Sequence, residues 1–360
     1  MTSLACVVLA AGEGKRMRSA RPKPLHLLCG RAMLLHILDR VAELGADRAV
    51  VVVGHGAERV TKKLLDEGPP NLPIDFVEQT VQRGTGDAAS VGLTSFPDDE
   101  DEDADVLVVP GDMPLIRTET LDLLLARHRA ADAAVTVLGV RMDDPTGYGR
   151  LVRGKDDRVV RIVEQHDASL EELAIAEVNT SFYVFKRSLL APALRRITPD
   201  NSQGEYYLTD VVEVLAQAGH RVEALVTDDA SEMLGVNDRA QLAAAEAELR
   251  RRTNAAWLDR GVTMVDPAAT YVDATVRLGA DVTLFPGTIL QGQTSVGDRC
   301  EIGPDARLVD TVVGDDCTVR STFATDAEIG AGSVVGPYCH LAAGAAIPTG
   351  TVTGAFYTSS

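Results

Sequence analysis

From Leu278 to Ile347 an aliphatic residue returns every six positions, and no other feature of the chain restricts its fold more. Leu278, Leu284, Leu290, Val296, Ile302 and Leu308 open the series; Ile329, Val335, Leu341 and Ile347 close it, after a slip near Val313 and Val319. Two positions before each stands a small or β-branched residue: Val276, Val282, Thr288, Thr294, Cys300 and Ala306, then Ala327, Ser333, Cys339 and Ala345. A sustained hexapeptide period marks a parallel β-helix, in which each coil stacks on the last and buries a column of aliphatic side chains. Residues 262–355 are read as such a repeat. Cys300 and Cys339 then fall at small core positions, which argues against a reactive role for either.

Before this region the pattern is different. "CVVLAAG", "RAVVVVGHG" and "DVLVVPGD" are near-continuous apolar strands, and "AMLLHILDRVAELGA", "AERVTKKLLDEG" and "TETLDLLLARHRAA" are helical stretches between and after them. Such alternation predicts an α/β domain, here residues 1–236, with a parallel sheet covered on both faces. Ligands of these folds bind at the carboxyl ends of strands where the strand order reverses, and "AAGEGKR" and "PGDMP" lie at strand ends of that kind. Residues 238–260 hold strong helix formers and no Gly or Pro, and 237–261 is read as a connecting helix. Its tryptophan, Trp257, is expected to pack at the domain joint.

The 360 residues are enough for two cores. With 53 acidic against 35 basic side chains and a net charge of -18, the surface as a whole repels nucleic acid and anionic membrane, so a polyanion must be met at a local basic site. The five cysteines, Cys6, Cys29, Cys300, Cys317 and Cys339, show neither CxxC nor Cys/His metal spacing, which fits a reducing cytosol rather than a disulfide frame or zinc site. The first apolar run, "LACVVLAAG", is too short to span a bilayer and has no cationic segment before it, so neither a signal peptide nor an anchor is expected. The acidic run "DDEDEDAD" at 98–105 reads as a solvated loop, because consecutive like charges do not converge on one ion without a turn.

The local basic site is the opening loop, "LAAGEGKRMRSARPKPL", where Lys15, Arg16, Arg18, Arg21 and Lys23 crowd behind Gly12 and Gly14. Glycines let the backbone turn sharply and bring N–H groups to a ligand, and a following helix offers an anion its positive end. The spacing is neither the dinucleotide fingerprint nor the P-loop. Spacing alone leaves a solvated basic loop and a phosphate cradle equally open.

The residues also carry a resemblance. "LAAGEGKRM" followed by "RPKPL" resembles the signature of sugar-phosphate nucleotidyltransferases. With "GHG" (54–56), "QTVQRGTGDA" (79–88), "PGDMPL" (110–115), "DDPTGYGRLV" (143–152), "VEQHDA" (163–168), "EVNTSFYVF" (177–185), "QGEYYLTDVV" (203–212) and "GVNDRAQL" (235–242), the chain resembles one bacterial family over nearly its whole length. In that family N-acetylglucosamine-1-phosphate uridyltransferase is fused to glucosamine-1-phosphate acetyltransferase. The resemblance implies a Rossmann-like α/β domain with a mixed, mainly parallel sheet, a connecting helix and a short left-handed parallel β-helix that assembles as a homotrimer. It implies transfer of uridylate from UTP to N-acetylglucosamine 1-phosphate, dependent on Mg2+.

Carried over position by position, Leu9, Ala10, Ala11 and Gly12 contact the nucleotide through backbone, and Arg16 and Lys23 are the catalytic cations on its phosphates. Gln79, Gly84 and Thr85 meet the uracil edge, with the Gln79 amide both donating and accepting. Pro110, Gly111 and Asp112 form the next contact. Gly149, Glu164 and Asn179 enclose the sugar, and Asp112 and Asn237 are the magnesium ligands, as hard oxygen donors suit. Each has a plainer alternative: Asp112 as a turn residue, Asn237 as a helix cap, Glu164 on an exposed strand. A sugar 1-phosphate already bears an anionic oxygen, so its attack on the α-phosphorus needs alignment and charge relief rather than a general base.

Two departures from the family pattern stand out. Lys15 takes the place of a threonine. "HLAAG" replaces a segment like R-L-R-P-G, with His340 and Ala342 where arginines are expected, and the β-helix turns that carry the acetyltransferase site are expected to be missing. Other readings are a nucleotidyltransferase for another sugar 1-phosphate or for dTTP, and a non-catalytic sugar-nucleotide-binding trimeric scaffold.

Overall fold

The computed structural model describes residues 2–96 and 104–359. They divide into two compact units: Met1–His26 with Ala32–Leu242, and Leu27–Arg31 with Ala243–Ser360.

The first unit is built on seven principal strands: β1 (Leu4–Ala10), β2 (Arg48–Val53), β3 (Ile74–Glu78), β4 (Asp105–Pro110), β5 (Val135–Arg141), β6 (Glu177–Lys186) and β7 (Val222–Thr227). Their order is β7-β5-β6-β4-β1-β2-β3. All pairings are parallel except those of β6, which runs antiparallel to both β4 and β5. A hairpin of Arg150–Arg153 and Val159–Val163 extends the sheet beside β6. The strands are apolar throughout because successive side chains enter different layers. Cys6 and Val8 pack with helices α1 (Met33–Glu43), α2 (Ala57–Glu67) and, later in the chain, α4 (Thr118–Ala131). Ala5 and Val7 pack on the other face, with α3 (Thr85–Leu93) and α5 (Asp210–Gln217). The chain moves outward from β1 through β2 to β3, then crosses to the other side of β1 at β4, so the order reverses between β1 and β4.

Asp105 corrects part of the reading of the acidic run. It is buried in β4, where Arg129 donates to its carboxylate at 2.6 Å. Burial pushes that carboxyl up, but hydrogen bonds from His128 and Arg129 outweigh it and hold the group below its usual range. Residues 98–103 lie outside the described residues.

The predicted connecting helix is present as α6 (Arg239–Asp259), two residues shorter at each end than 237–261. Asp238 caps it, accepting the Gln241 N–H at 2.9 Å. Trp257 packs against the aliphatic column of the second unit, with the Arg260 guanidinium 5.2 Å over its ring.

That column is three-sided. Three sheets of five short parallel strands stack Met264, Leu284, Ile302, Val319 and Val335 on one side, Val272, Leu290, Leu308, Ala324 and Leu341 on the second, and Leu278, Val296, Val313, Ile329 and Ile347 on the third. The slip seen in sequence is a set of shortened sides: Leu308 to Val313, Val319 to Ala324 and Ala324 to Ile329 are each five residues rather than six. Ala324 is the core member that the aliphatic period hides. At the corners, buried hydroxyls and thiols satisfy backbone carbonyls. Thr288 donates to Phe285 O at 2.7 Å, Thr294 to Gln291 O at 2.7 Å, and Cys300 Sγ lies 3.1 Å from Gly314 O. Cys300 and Cys339 are therefore core residues, and Cys317 is a third.

Candidate active site

The carboxyl ends of β1 and β4, in register at Leu9 and Pro110, open into a cleft of about 370 Å³. Leu9, Ala10, Ala11, Gly12, Lys23, Gln79, Gly84, Thr85, Pro110, Gly111 and Asp112 all line it, brought together from segments scattered along the sequence. Two glycines make the walls possible. Gly111 donates to Leu9 O at 2.8 Å, and a Cβ there would stand 2.8 Å from the same oxygen. Gly14 sits at φ 63°, where its missing side chain leaves room for Lys23: a Cβ would meet the lysine Cβ at 2.7 Å. The opening loop thus folds back on its own second half, anchored by buried Met17, whose carbonyl accepts from Arg239 at 3.1 Å.

Lys23 is the centre of the site. Its ammonium, with the side chain only 12% exposed, donates to Asp112 Oδ2 at 2.6 Å and to Asn237 Oδ1 at 2.8 Å. Asn237 is outside the cleft lining but is tied to it through this contact and through Val236, whose N–H donates to Asp112 O at 2.8 Å. The plainer alternatives for both residues fall away, since Asp238 caps α6 and the Asp112 carboxylate faces a cation rather than its own turn. Two oxygens that converge on one ammonium are also placed to face one divalent ion. Among the described residues no group of three or more His, Cys, Asp and Glu is clustered for a metal. The pair therefore suits a hard cation that keeps waters and shares phosphate oxygens, rather than a closed protein cage.

Gln79 differs from its sequence expectation. It is buried, and its Nε2 donates to Asp87 Oδ2 at 2.7 Å and to Gly84 O at 3.2 Å. Both amide hydrogens are thereby engaged, and only Oε1 remains to meet a ligand. The Thr85 hydroxyl accepts the Leu208 N–H at 3.0 Å, which leaves its own O–H to donate.

Gly149, Glu164 and Asn179 form a second group beside β6. Asn179 N donates to Gly149 O at 2.8 Å, and Glu164 Oε2 stands 3.3 Å from where a Gly149 Cβ would be. Glu164 is not on an exposed strand: Thr209 donates to it at 3.1 Å, and burial raises its pKa. Asp210 nearby is pushed up to about 6 by burial first, then by Glu213, Glu164 and Asp167. The Asn179 side chain is spent on structure, donating to Tyr183 at 2.8 Å and accepting the Ser181 N–H at 3.1 Å. These bonds hold a break in register between Asn179 and Phe182 and set Ser181 at φ 63°, a strained value for a residue with a side chain.

Arg16 is not brought into the cleft. It lies on the exposed turn Lys15–Met17 with no ion-pair partner among the described residues, while neighbouring Lys15 pairs with Glu13. Ser181, Gln82 and Glu205 line the cleft and were missed from sequence. Gln82 donates to Ala11 O at 2.6 Å, bracing the turn that follows β1. Polar "NTS" inside an otherwise apolar β6 was the available signal for Ser181.

A reversed-order sheet with a cationic, carboxylate-bearing cleft at its switch point defines an enzyme of the nucleotidyltransferase class, and residues 6–205 match the MobA-like NTP transferase domain. The similarity extends through the β-helix. The chain is 47% identical to the bifunctional protein GlmU of Mycolicibacterium gilvum over 357 residues, 99% of this chain and 71% of that one. It is 44% identical to that of Exiguobacterium sibiricum over 97% of this chain and 76% of the relative. The figures for Caldanaerobacter subterraneus are 42%, 95% and 72%. The chain belongs to the GlmU family.

Proposed function

We propose that this protein transfers uridylate from UTP to N-acetylglucosamine 1-phosphate, giving UDP-N-acetylglucosamine and pyrophosphate. The observation that carries the reading is the meeting of Lys23, Asp112 and Asn237 at the strand reversal. The nucleotide lies along Leu9 to Gly12, with Gln79 Oε1 accepting the base imide N–H. The sugar lies toward Gly149 and Glu164, where half-buried carboxylate oxygens accept its hydroxyls. Lys23 turns from its carboxylate and amide partners to phosphate oxygens, and Arg16, without an ion-pair partner among the described residues, swings in from the Lys15–Met17 turn. The acceptor phosphate is already anionic, so the side chains align it in line with the leaving pyrophosphate and lower the repulsion between two polyanions. A magnesium ion held by Asp112 and Asn237 would supply further neutralisation of phosphate charge.

Residues 1–236 act as the uridyltransferase, 237–261 as the connecting segment built on α6 (Arg239–Asp259), and 262–355 as the β-helix. Among the described residues no helix is long and apolar enough to cross a membrane, and the five free cysteines are buried; the enzyme works in the cytoplasm. Exposed Val312, Phe323 and Val334 on the coils are contacts of a homotrimer. Uridyl transfer is the single activity assigned to these 360 residues: within 262–359 the one histidine, His340, lies exposed on a coil without an acidic partner among the described residues.

Pyrophosphate release measured with UTP and a panel of sugar 1-phosphates tests this. N-acetylglucosamine 1-phosphate should be the best acceptor, chelation by EDTA should abolish turnover, and acetyl-CoA with glucosamine 1-phosphate should release no thiol above background. No turnover across the panel would leave a sugar-nucleotide-binding scaffold as the function. Thiol release near the uridyl-transfer rate would restore an acetyltransferase, with His340 the first residue to examine.

A further inference from the structure

We propose that Asp87 selects the base, by locking the Gln79 amide so that only its carbonyl oxygen faces the cleft. The proposal rests on the reading that Gln79 meets the base. An ionised carboxylate has acceptors and no donor, so the atom 2.7 Å from Asp87 Oδ2 must be the amide nitrogen. The second amide hydrogen goes to Gly84 O at 3.2 Å, and the group cannot rotate by half a turn without placing two acceptors face to face. Gln79 is buried, so no solvent stands ready to repair such a mismatch.

The consequence is chemical. Uracil presents an imide N3–H, which donates to Gln79 Oε1. Cytosine presents a lone pair at the same ring position, and there it meets another lone pair. A glutamine free to turn would serve either base, since its amide offers a donor on one side and an acceptor on the other. Asp87 removes that freedom, and it does so from the first turn of α3, where the helix end favours a negative charge. It touches neither substrate by this reading and acts as a positioning residue.

The test compares kcat/KM for UTP and CTP, with N-acetylglucosamine 1-phosphate as acceptor. In Asp87→Ala the UTP:CTP ratio should fall at least tenfold, chiefly because CTP improves relative to UTP. Asp87→Asn, nearly isosteric and able to present either a donor or an acceptor, should lower it too and serves if the alanine variant does not fold. If Asp87 only stabilises α3, both nucleotides lose equally and the ratio stays at the wild-type value; that result overturns the proposal. Gln79→Ala separates it from the reading beneath it. A ratio unmoved in Gln79→Ala defeats both, whereas a ratio that falls in Gln79→Ala but not in the Asp87 variants defeats the role of Asp87 alone.

Discussion

Lys23 shows how a single side chain can serve two states of a site. Its ammonium holds Asp112 and Asn237 together; on the proposed reading it turns to phosphate when a nucleotide binds. Asp112→Ala therefore has two effects. It removes the one carboxylate of the proposed metal pair, so turnover should fall by about 10²-fold or more. It also leaves a nearly buried ammonium with only the Asn237 oxygen, at a cost of about 1–3 kcal/mol. Pyrophosphate release and a thermal melt check the two separately, and activity within a few-fold of wild type would take Asp112 out of the metal site. Sequence made the residue types legible, since Lys23, Asp112 and Asn237 each stand in a recognisable segment. Their mutual contact was not legible. Lys23 and Asp112 are 89 positions apart, and no periodicity encodes which of several basic residues reaches the carboxylate. The engaged amide of Gln79 was hidden for the same reason, because its partner Asp87 lies in the first turn of α3, beyond a loop whose path the residues alone do not give.

At the scale of elements, whatever rested on a repeated pattern was readable and whatever rested on direction was not. β1, β2 and β4 and helices α1, α2 and α4 all fall where unbroken apolar runs and helical patterns place them. The second half of β6, Phe182–Phe185, is as apolar as the parallel strands, and such a run does not tell direction, so its reversed course comes only from the structure. In the coils, the missing beat at Ala324 is a small side chain filling a narrow side, invisible to a search for large aliphatic ones. This gives a sharp expectation for its neighbour. Leu308 is fully buried and stacks directly on Ala324, which is too small to collapse into a void. Leu308→Ala should destabilise the second unit by about 2–5 kcal/mol in urea denaturation, while a change at exposed Glu328 should cost less than about 0.5 kcal/mol.

Across the whole molecule, two units with separate aliphatic cores carry separate duties, and their stabilities need not rise or fall together. The first needs its strand reversal to form a cleft; the second needs only that each coil find the next. If the exposed Val312, Phe323 and Val334 are subunit contacts, light scattering on the intact protein should report about three times 38.3 kDa, and a monomer across the working concentration range would refute the trimer. The stacked coils carry one more implication. Each side of the column loses a single strand when residues 303–319 are taken away, namely those of Leu308, Val313 and Val319, and every remaining strand meets an equivalent neighbour. The column is a ruler graduated in steps of about 4.8 Å. Its length can change by whole graduations without repacking anything else, whereas a slip of one residue within a strand would exchange its core and outward side chains.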